Sequence, residues 1–202
     1  MTDFSNIDPN FRVEPTPEAD GLVYRDACDP AFSLLGLAFE QGCYRRLPAA
    51  VAKSVSAQAE LLHTHTAGGC LAFLTDSKRI TLRVKMHNVE KMPHFALTGS
   101  GGFDLYERKE GAYRYLTTFI PPFAMTDGFS SQRVLEDRRK RELRLYFPLY
   151  SGVTALSIGL EDIRDVIAFP KVQNASELMT KCPAPADAKA LEELAIAIVP
   201  EE

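Results

Sequence analysis

A serine set among glycines, Thr98-Gly99-Ser100-Gly101-Gly102, is the place in this sequence where a nucleophile could stand on a tight turn, and Asp104 follows closely. Acyl transfer through serine needs a histidine to take the hydroxyl proton, an acid to hold that histidine, and donors for the developing oxyanion. The block does not meet that geometry. In G-x-S-x-G the serine sits on a strained strand-to-helix turn with glycine two residues before it. Here that place holds Thr98, and the residues after the block alternate as a strand. The glycines are read instead as supplying positive φ in a tight connection. No catalytic residue is assigned.

His63 and His65 are two apart. On a strand both imidazoles would project to one side and could take a metal with His87 or His94 as a third ligand. No acidic or thiolate ligand stands at a recognisable spacing, and ordinary hydrogen-bonded or exposed histidines are the alternative. The four cysteines, Cys28, Cys43, Cys70 and Cys182, contain no C-x-x-C pair and fit neither a zinc ribbon nor a dense disulfide framework. Neither a G-x-x-x-x-G-K-[ST] loop nor a strand-led G-x-G-x-x-G occurs, so no cofactor is expected. Tyr106, Tyr113, Tyr115, Tyr146 and Tyr150 lie on or beside alternating segments. Tyrosines on a sheet face can stack on sugar rings while their hydroxyls hydrogen-bond. They are also favoured on half-buried strands for β-propensity alone.

The elements that would carry these residues follow from the bulk numbers and the periodicity. A chain of 202 residues with 46% apolar composition can fill the core of one large domain. A net charge of −4 and a pI near 5.6 give no field that would gather nucleic acid or anionic lipid. The expected partner is therefore a small molecule or another protein. The N-terminus has no basic or apolar leader region, and no run approaches the roughly 18 apolar residues that span a bilayer. With widely spaced cysteines read as reduced thiols, the expected location is the cytoplasm.

Residues 1–20 are polar and rich in Pro, Asp and Glu, an arm rather than a body. From Leu61 to about Leu160 the pattern is of period two, clearest where Ile80, Leu82, Val84 and Met86 alternate with Thr81, Arg83, Lys85 and His87. Further strands are read at Cys70–Leu74, Phe103–Glu107, Tyr113–Phe119, Glu142–Phe147 and Val153–Leu160, with turn signals such as Asp76-Ser77 and Glu110-Gly111 between them. Short strands without intervening helical patterns argue for a mainly antiparallel β-sandwich over 21–170, and against a parallel α/β sheet. Asp137–Arg141 (DRRKR) reads as a solvated, edge-blunting turn, with a basic binding patch as the alternative. Leu47–Leu62 is Ala-rich and open to helix, strand or loop. Residues 171–202 read as a linker and a C-terminal helix capped by Asp187 and striped by Leu191, Leu194 and Ile198.

One ordered series of blocks carries a resemblance. Tyr44-Arg-Arg-Leu-Pro48, His65-Thr-Ala-Gly-Gly69, Leu74-Thr-Asp-Ser77 and Met92-Pro93 lead into Leu97-Thr-Gly-Ser-Gly-Gly-Phe-Asp-Leu-Tyr106; Phe147-Pro-Leu-Tyr-Ser-Gly-Val153 and Ile158-Gly-Leu160 follow. The series resembles the N-terminal domain of bacterial SGNH-type (GDSL-like) esterases, whose Gly-x-Asp-Leu-Tyr signature stands here as Gly102–Tyr106. The resemblance implies a β-sandwich of jelly-roll or carbohydrate-binding-module type, placed before a hydrolase domain that supplies serine, aspartate and histidine. After Ile167-Ala-Phe-Pro170 the sequence runs into its linker and helix rather than a nucleophile block.

The functional expectation is a non-catalytic accessory domain that binds a carbohydrate or acylated small molecule, or docks on a hydrolase domain. The ligand candidates are Asp104, Tyr106, Tyr150 and His65. A hydrolase acting through a metal-assisted or unrecognised site around His63 and His65 is the first alternative, and a homo-oligomerisation module the second.

Overall fold

In the computed structural model, residues 21–161, residue 90 excepted, are described; the arm at 1–20, the end of the expected sandwich at 162–170, and the linker and helix at 171–202 lie outside the described residues. The elements run β1 (Leu22–Asp26), β2 (Ser33–Leu35), β3 (Ala38–Glu40), β4 (Cys43–Arg45), α1 (Ala49–Val55), α2 (Ala57–Leu62), β5 (Cys70–Thr75), β6 (Arg79–His87) and α3 (Leu97–Gly101). They continue with β7 (Phe103–Lys109), β8 (Ala112–Phe119), β9 (Gly128–Val134), β10 (Arg141–Tyr146) and β11 (Gly152–Glu161). A four-stranded sheet in the order β1-β11-β6-β9 and a five-stranded sheet in the order β2-β5-β10-β7-β8 form a β-sandwich, with β3 and β4 as a separate ribbon. The pairings within the two large sheets are antiparallel.

Period two builds the core. On β6, Ile80, Leu82, Val84 and Met86 are buried while Arg83 and Lys85 are exposed. On the facing sheet Leu71 and Phe73 of β5, Phe103 and Leu105 of β7, and Leu143 and Leu145 of β10 turn inward and are fully buried. Removing such a side chain from water contributes about 1.5–3 kcal/mol, which is why the register cannot slip by one residue without turning this set outward. The turn read at Glu110-Gly111 joins β7 to β8 with φ of 53° and 84°. Positive φ at both central residues gives the strands the twist a two-residue hairpin needs.

Three expectations are corrected or resolved. The Leu47–Leu62 stretch is helical but broken: Ser56 is extended, and its hydroxyl accepts from Ala59 N at 3.0 Å to cap α2. Within Thr98–Gly102 no glycine has positive φ; the block forms the short helix α3, followed by an extended Gly102. Its glycines answer close approach instead, since a Cβ on Gly102 would meet Thr98 O at 2.1 Å and one on Gly99 would meet the Phe95 ring at 2.7 Å. DRRKR is only partly a solvated turn. Arg141 is buried at the start of β10 beside the buried Glu107, whose carboxylate lies 2.6 Å from Arg139, 3.5 Å from Arg141 and 3.3 Å from Lys109. A lone carboxylate in that position would carry a large desolvation cost, and the three cations offset it.

Candidate functional site

Asp104 and Tyr106 lie on the outer face of the five-stranded sheet, because Phe103, Leu105 and Glu107 of the same strand face inward. Register then decides their neighbours. On β10, Tyr146 stands opposite Asp104 and Arg144 opposite Tyr106. On β8, Thr118 stands opposite Asp104, and a register shift after Leu105 sets Tyr115, rather than Leu116, opposite Tyr106. A bulge of this kind re-aims a side chain, and here it places a tyrosine on the outer face while Leu116 packs against the core.

The result is a tyrosine surface with fixed geometry. The Tyr106 ring meets Tyr146 edge-on at 5.2 Å and Tyr115 edge-on at 5.7 Å. Thr118 donates to Asp104 Oδ1 at 2.6 Å and shares a hydrogen bond of 2.9 Å with the Tyr115 hydroxyl. A cavity of about 400 Å³ opens over Asp104, Tyr106, Tyr113 and Tyr146, with Gly68 and Gly102 in its wall. Beyond Tyr113 a second cavity of about 220 Å³ is lined by Ser33, Leu35, Arg108, Glu142 and Arg144. Tyr113 divides the two: the Arg144 guanidinium lies 4.0 Å from its ring centroid, and its hydroxyl donates to Glu142. Burial, followed by the Glu142 carboxylate, pushes the Tyr113 phenol up to about 12, so it remains a donor at any ordinary pH. Arg108 holds Glu142 from the other side at 3.2 Å.

The other expected site residues are placed elsewhere. Tyr150 does not line this cavity; it is half exposed, edge-on to Phe95 at 5.4 Å and to His65 at 6.4 Å. His65 is buried on an isolated bridge to Gly152, and His63 caps the C-terminus of α2, so the two do not share a strand face. The His63 ring is held by Glu60 O at 2.6 Å and by Arg45, and a guanidinium on the ring nitrogen leaves no room for a metal ion there. No group of three His, Cys, Asp or Glu that could hold a metal occurs among the described residues. Ser100 is fully buried, with its carbonyl accepting from the Ser151 hydroxyl at 2.9 Å, so it offers no nucleophile to a substrate. Cys28, Cys43 and Cys70 are free thiols, and burial raises the pKa of each. No helix among the described residues is long and apolar enough to cross a membrane.

Sequence reasoning named Tyr106 and Asp104 but missed Arg144 and Thr118. The signal for Arg144 was present in the alternation Glu142, Arg144, Tyr146 against Leu143 and Leu145, which sets those three on one face. Thr118 carried no signal, because its position depends on the bulge.

Comparison with known proteins agrees with this architecture. A GDSL-like lipase from Bacteroides ovatus superposes with a TM-score of 0.58 and 26% identity over 70% of this chain. The alignment takes in 41% of the lipase, so the chain spans less than half of that protein's length. A carbohydrate esterase of family two from Cellvibrio japonicus is more distant, with 10% identity and a TM-score of 0.39. Over a stretch of 42 residues, 21% of this chain, the sequence is 55% identical to aspartate–tRNA ligase of Agathobacter rectalis, of which it covers 7%. The model of the GxDLY family, described as the N-terminus of SGNH-hydrolase-type esterases, matches residues 22–166, and the chain belongs to that family.

Proposed function

We propose that this sandwich is a non-catalytic accessory domain that binds a carbohydrate, or a small molecule acylated on a sugar-like scaffold, on its tyrosine face. The observation that carries the reading is the coincidence of the signature residues Asp104 and Tyr106 with a cavity of about 400 Å³ on the outer face of the five-stranded sheet. Leu105 of the same signature turns into the core, where packing accounts for it. Asp104 and Tyr106 instead turn away from the core, and among the described residues Asp104 is met by one hydroxyl, that of Thr118, on one of its two oxygens. Tyrosine rings offer apolar faces to the C–H side of a sugar, and the carboxylate offers acceptors to its hydroxyls.

Calorimetric titration of the protein with a panel of neutral and charged oligosaccharides, alongside Tyr106→Ala, tests this. Heat with at least one glycan, lost in Tyr106→Ala while the unfolding midpoint stays close to that of the parent, is the expected outcome. Absence of heat with every glycan removes the reading.

Docking on a hydrolase domain is favoured by a separate observation: Val51, Val55 and Leu61 on the α1–α2 hairpin are 43%, 51% and 72% exposed. Apolar side chains grouped on two short helices suit a partner surface. Leu61→Glu should abolish co-purification with a co-expressed SGNH catalytic domain if that surface is used, and unchanged co-purification would exclude it.

A further inference from the structure

We infer that the tyrosine face selects an acidic sugar, a hexuronate-type ring whose carboxylate is held by Arg144 and whose hydroxyls are held by Asp104. This rests on the sugar-binding reading above and narrows it to one substrate class.

The argument starts from charge on the face. Four ionisable residues of opposite sign project from β7 and β10: Asp104 and Arg108 on one strand, Glu142 and Arg144 on the other. Glu142 is already committed, since both of its oxygens lie within 3.3 Å of Arg108 and one also accepts from the Tyr113 hydroxyl. That leaves Asp104 without a cation and Arg144 without a carboxylate among the described residues. Arg144 is not loose. Its guanidinium is stacked 4.0 Å from the Tyr113 ring centroid, and its Nε is shielded from solvent with no hydrogen-bond partner. A guanidinium held flat on a ring keeps its fork pre-oriented, and so loses little freedom when it takes a planar carboxylate in two parallel hydrogen bonds.

Diagonal register, together with the stacking of Arg144 on Tyr113, keeps the two unmatched charges from neutralising each other. Tyr146 opposes Asp104 and Arg144 opposes Tyr106, so these four residues form a square. One diagonal is closed by the Tyr106–Tyr146 ring contact at 5.2 Å. Asp104 and Arg144 occupy the other diagonal, where neighbours on adjacent strands lie about 7–8 Å apart. A long side chain could cross that span, but the Arg144 guanidinium is turned onto the Tyr113 ring instead, and one pyranose ring with its substituents fits between the two charges. The ring would rest on the tyrosine pair, with its carboxylate toward the smaller cavity at Arg144 and its opposite hydroxyls toward the larger one at Asp104. A neutral hexose would satisfy the tyrosines and Asp104 but leave Arg144 facing a hydroxymethyl group.

The test is calorimetry on the full chain with trigalacturonate, triglucuronate and the neutral trisaccharides galactotriose and maltotriose, at low and at high salt, with Arg144→Gln and Arg144→Lys beside the parent. One acidic trisaccharide should bind about tenfold to hundredfold tighter than its neutral counterpart, as expected of a charge-assisted pair in place of a neutral one. Arg144→Gln should bring that affinity down to the neutral level, Arg144→Lys should keep part of it, and both variants should unfold at the parent's midpoint. Neutral trisaccharides binding as tightly as acidic ones would overturn the acidic preference while leaving sugar binding in place. An unchanged acid affinity in Arg144→Gln would overturn the role of Arg144. Inorganic phosphate competing as well as trigalacturonate would make the face a general anion site and overturn the sugar class. If neither kind of trisaccharide binds, the parent reading falls and this inference falls with it.

Discussion

The two sheets share one core yet turn different surfaces outward. The four-stranded sheet presents Arg83 and Lys85 of β6 and Ser130 and Gln132 of β9, and its outward Tyr24 is covered by the Arg83 guanidinium at 3.8 Å from the ring centroid. Its inner strand β11 carries Gly159, where a Cβ would meet the Tyr24 ring at 2.7 Å, so that tyrosine lies flat against backbone. The five-stranded sheet presents Asp104, Tyr106, Tyr113, Tyr115, Arg144 and Tyr146, with two cavities between them. Alternation alone obliges every strand to turn half of its side chains away from the core. It does not oblige them to be aromatic or to leave charges unmatched. The difference between the two faces is therefore what singles out the second as the candidate binding surface.

The largest expected effect tests the inner half of that alternation. Phe103→Ala, at the variable position of the signature and on the core face of β7, should cost about 3–5 kcal/mol in urea unfolding, since the ring is fully buried between the sheets. A cost below about 1 kcal/mol would mean the core packs otherwise. Next comes Gly102→Ala, where the new methyl would press on Thr98 O; a loss of about 1–3 kcal/mol is expected, read from the same denaturation.

On the outer face the balance should reverse. Tyr146→Ala should weaken binding of a bound oligosaccharide by about tenfold or more, as for an anchoring aromatic, with little change in unfolding. Arg83→Gln on the opposite sheet should leave that affinity unchanged and alter stability by no more than about 1 kcal/mol, the scale of an exposed cation–π contact. Equal effects of the two on binding would dissolve the distinction between the faces.

The smallest effect concerns pH. His87 ends β6 with its ring against Gly152, and burial, then the Arg45 charge, holds its imidazole below the ordinary 6.5. A depressed folded pKa means the unfolded chain binds the proton more readily, so the neutral ring's contribution is intact above about 6.5 and is lost as pH falls below it. The melting midpoint should drop between about pH 7.5 and about pH 5, and less steeply in His87→Gln. Parallel profiles for the two proteins would assign the pH dependence to other groups.

Much of this molecule is local in origin. The period-two runs at Ile80–Met86 and Leu143–Phe147, the turn at Glu110-Gly111 and the ordered blocks around Gly102–Tyr106 determined a mainly antiparallel β-sandwich of the GxDLY family, because alternation, turn chemistry and a signature are each properties of consecutive residues. Short elements such as β2, β3 and β4 escaped, three residues being too few to establish a period. The glycines of the serine block were expected to supply positive φ, whereas they answer contacts with Thr98 and Phe95 that only the folded chain creates.

Tertiary structure alone decided which candidates meet. Tyr150 and His65 went to one cluster and Asp104 and Tyr106 to another, because strand register, not sequence distance, chooses neighbours across a sheet. The bulge after Leu105 put Thr118 on the same face as Tyr115 in the candidate site, and it lies in the pairing of two strands rather than in either. Arg144 entered the candidate site only when Glu142 was taken by Arg108 and Tyr113, a partner choice no linear pattern contains.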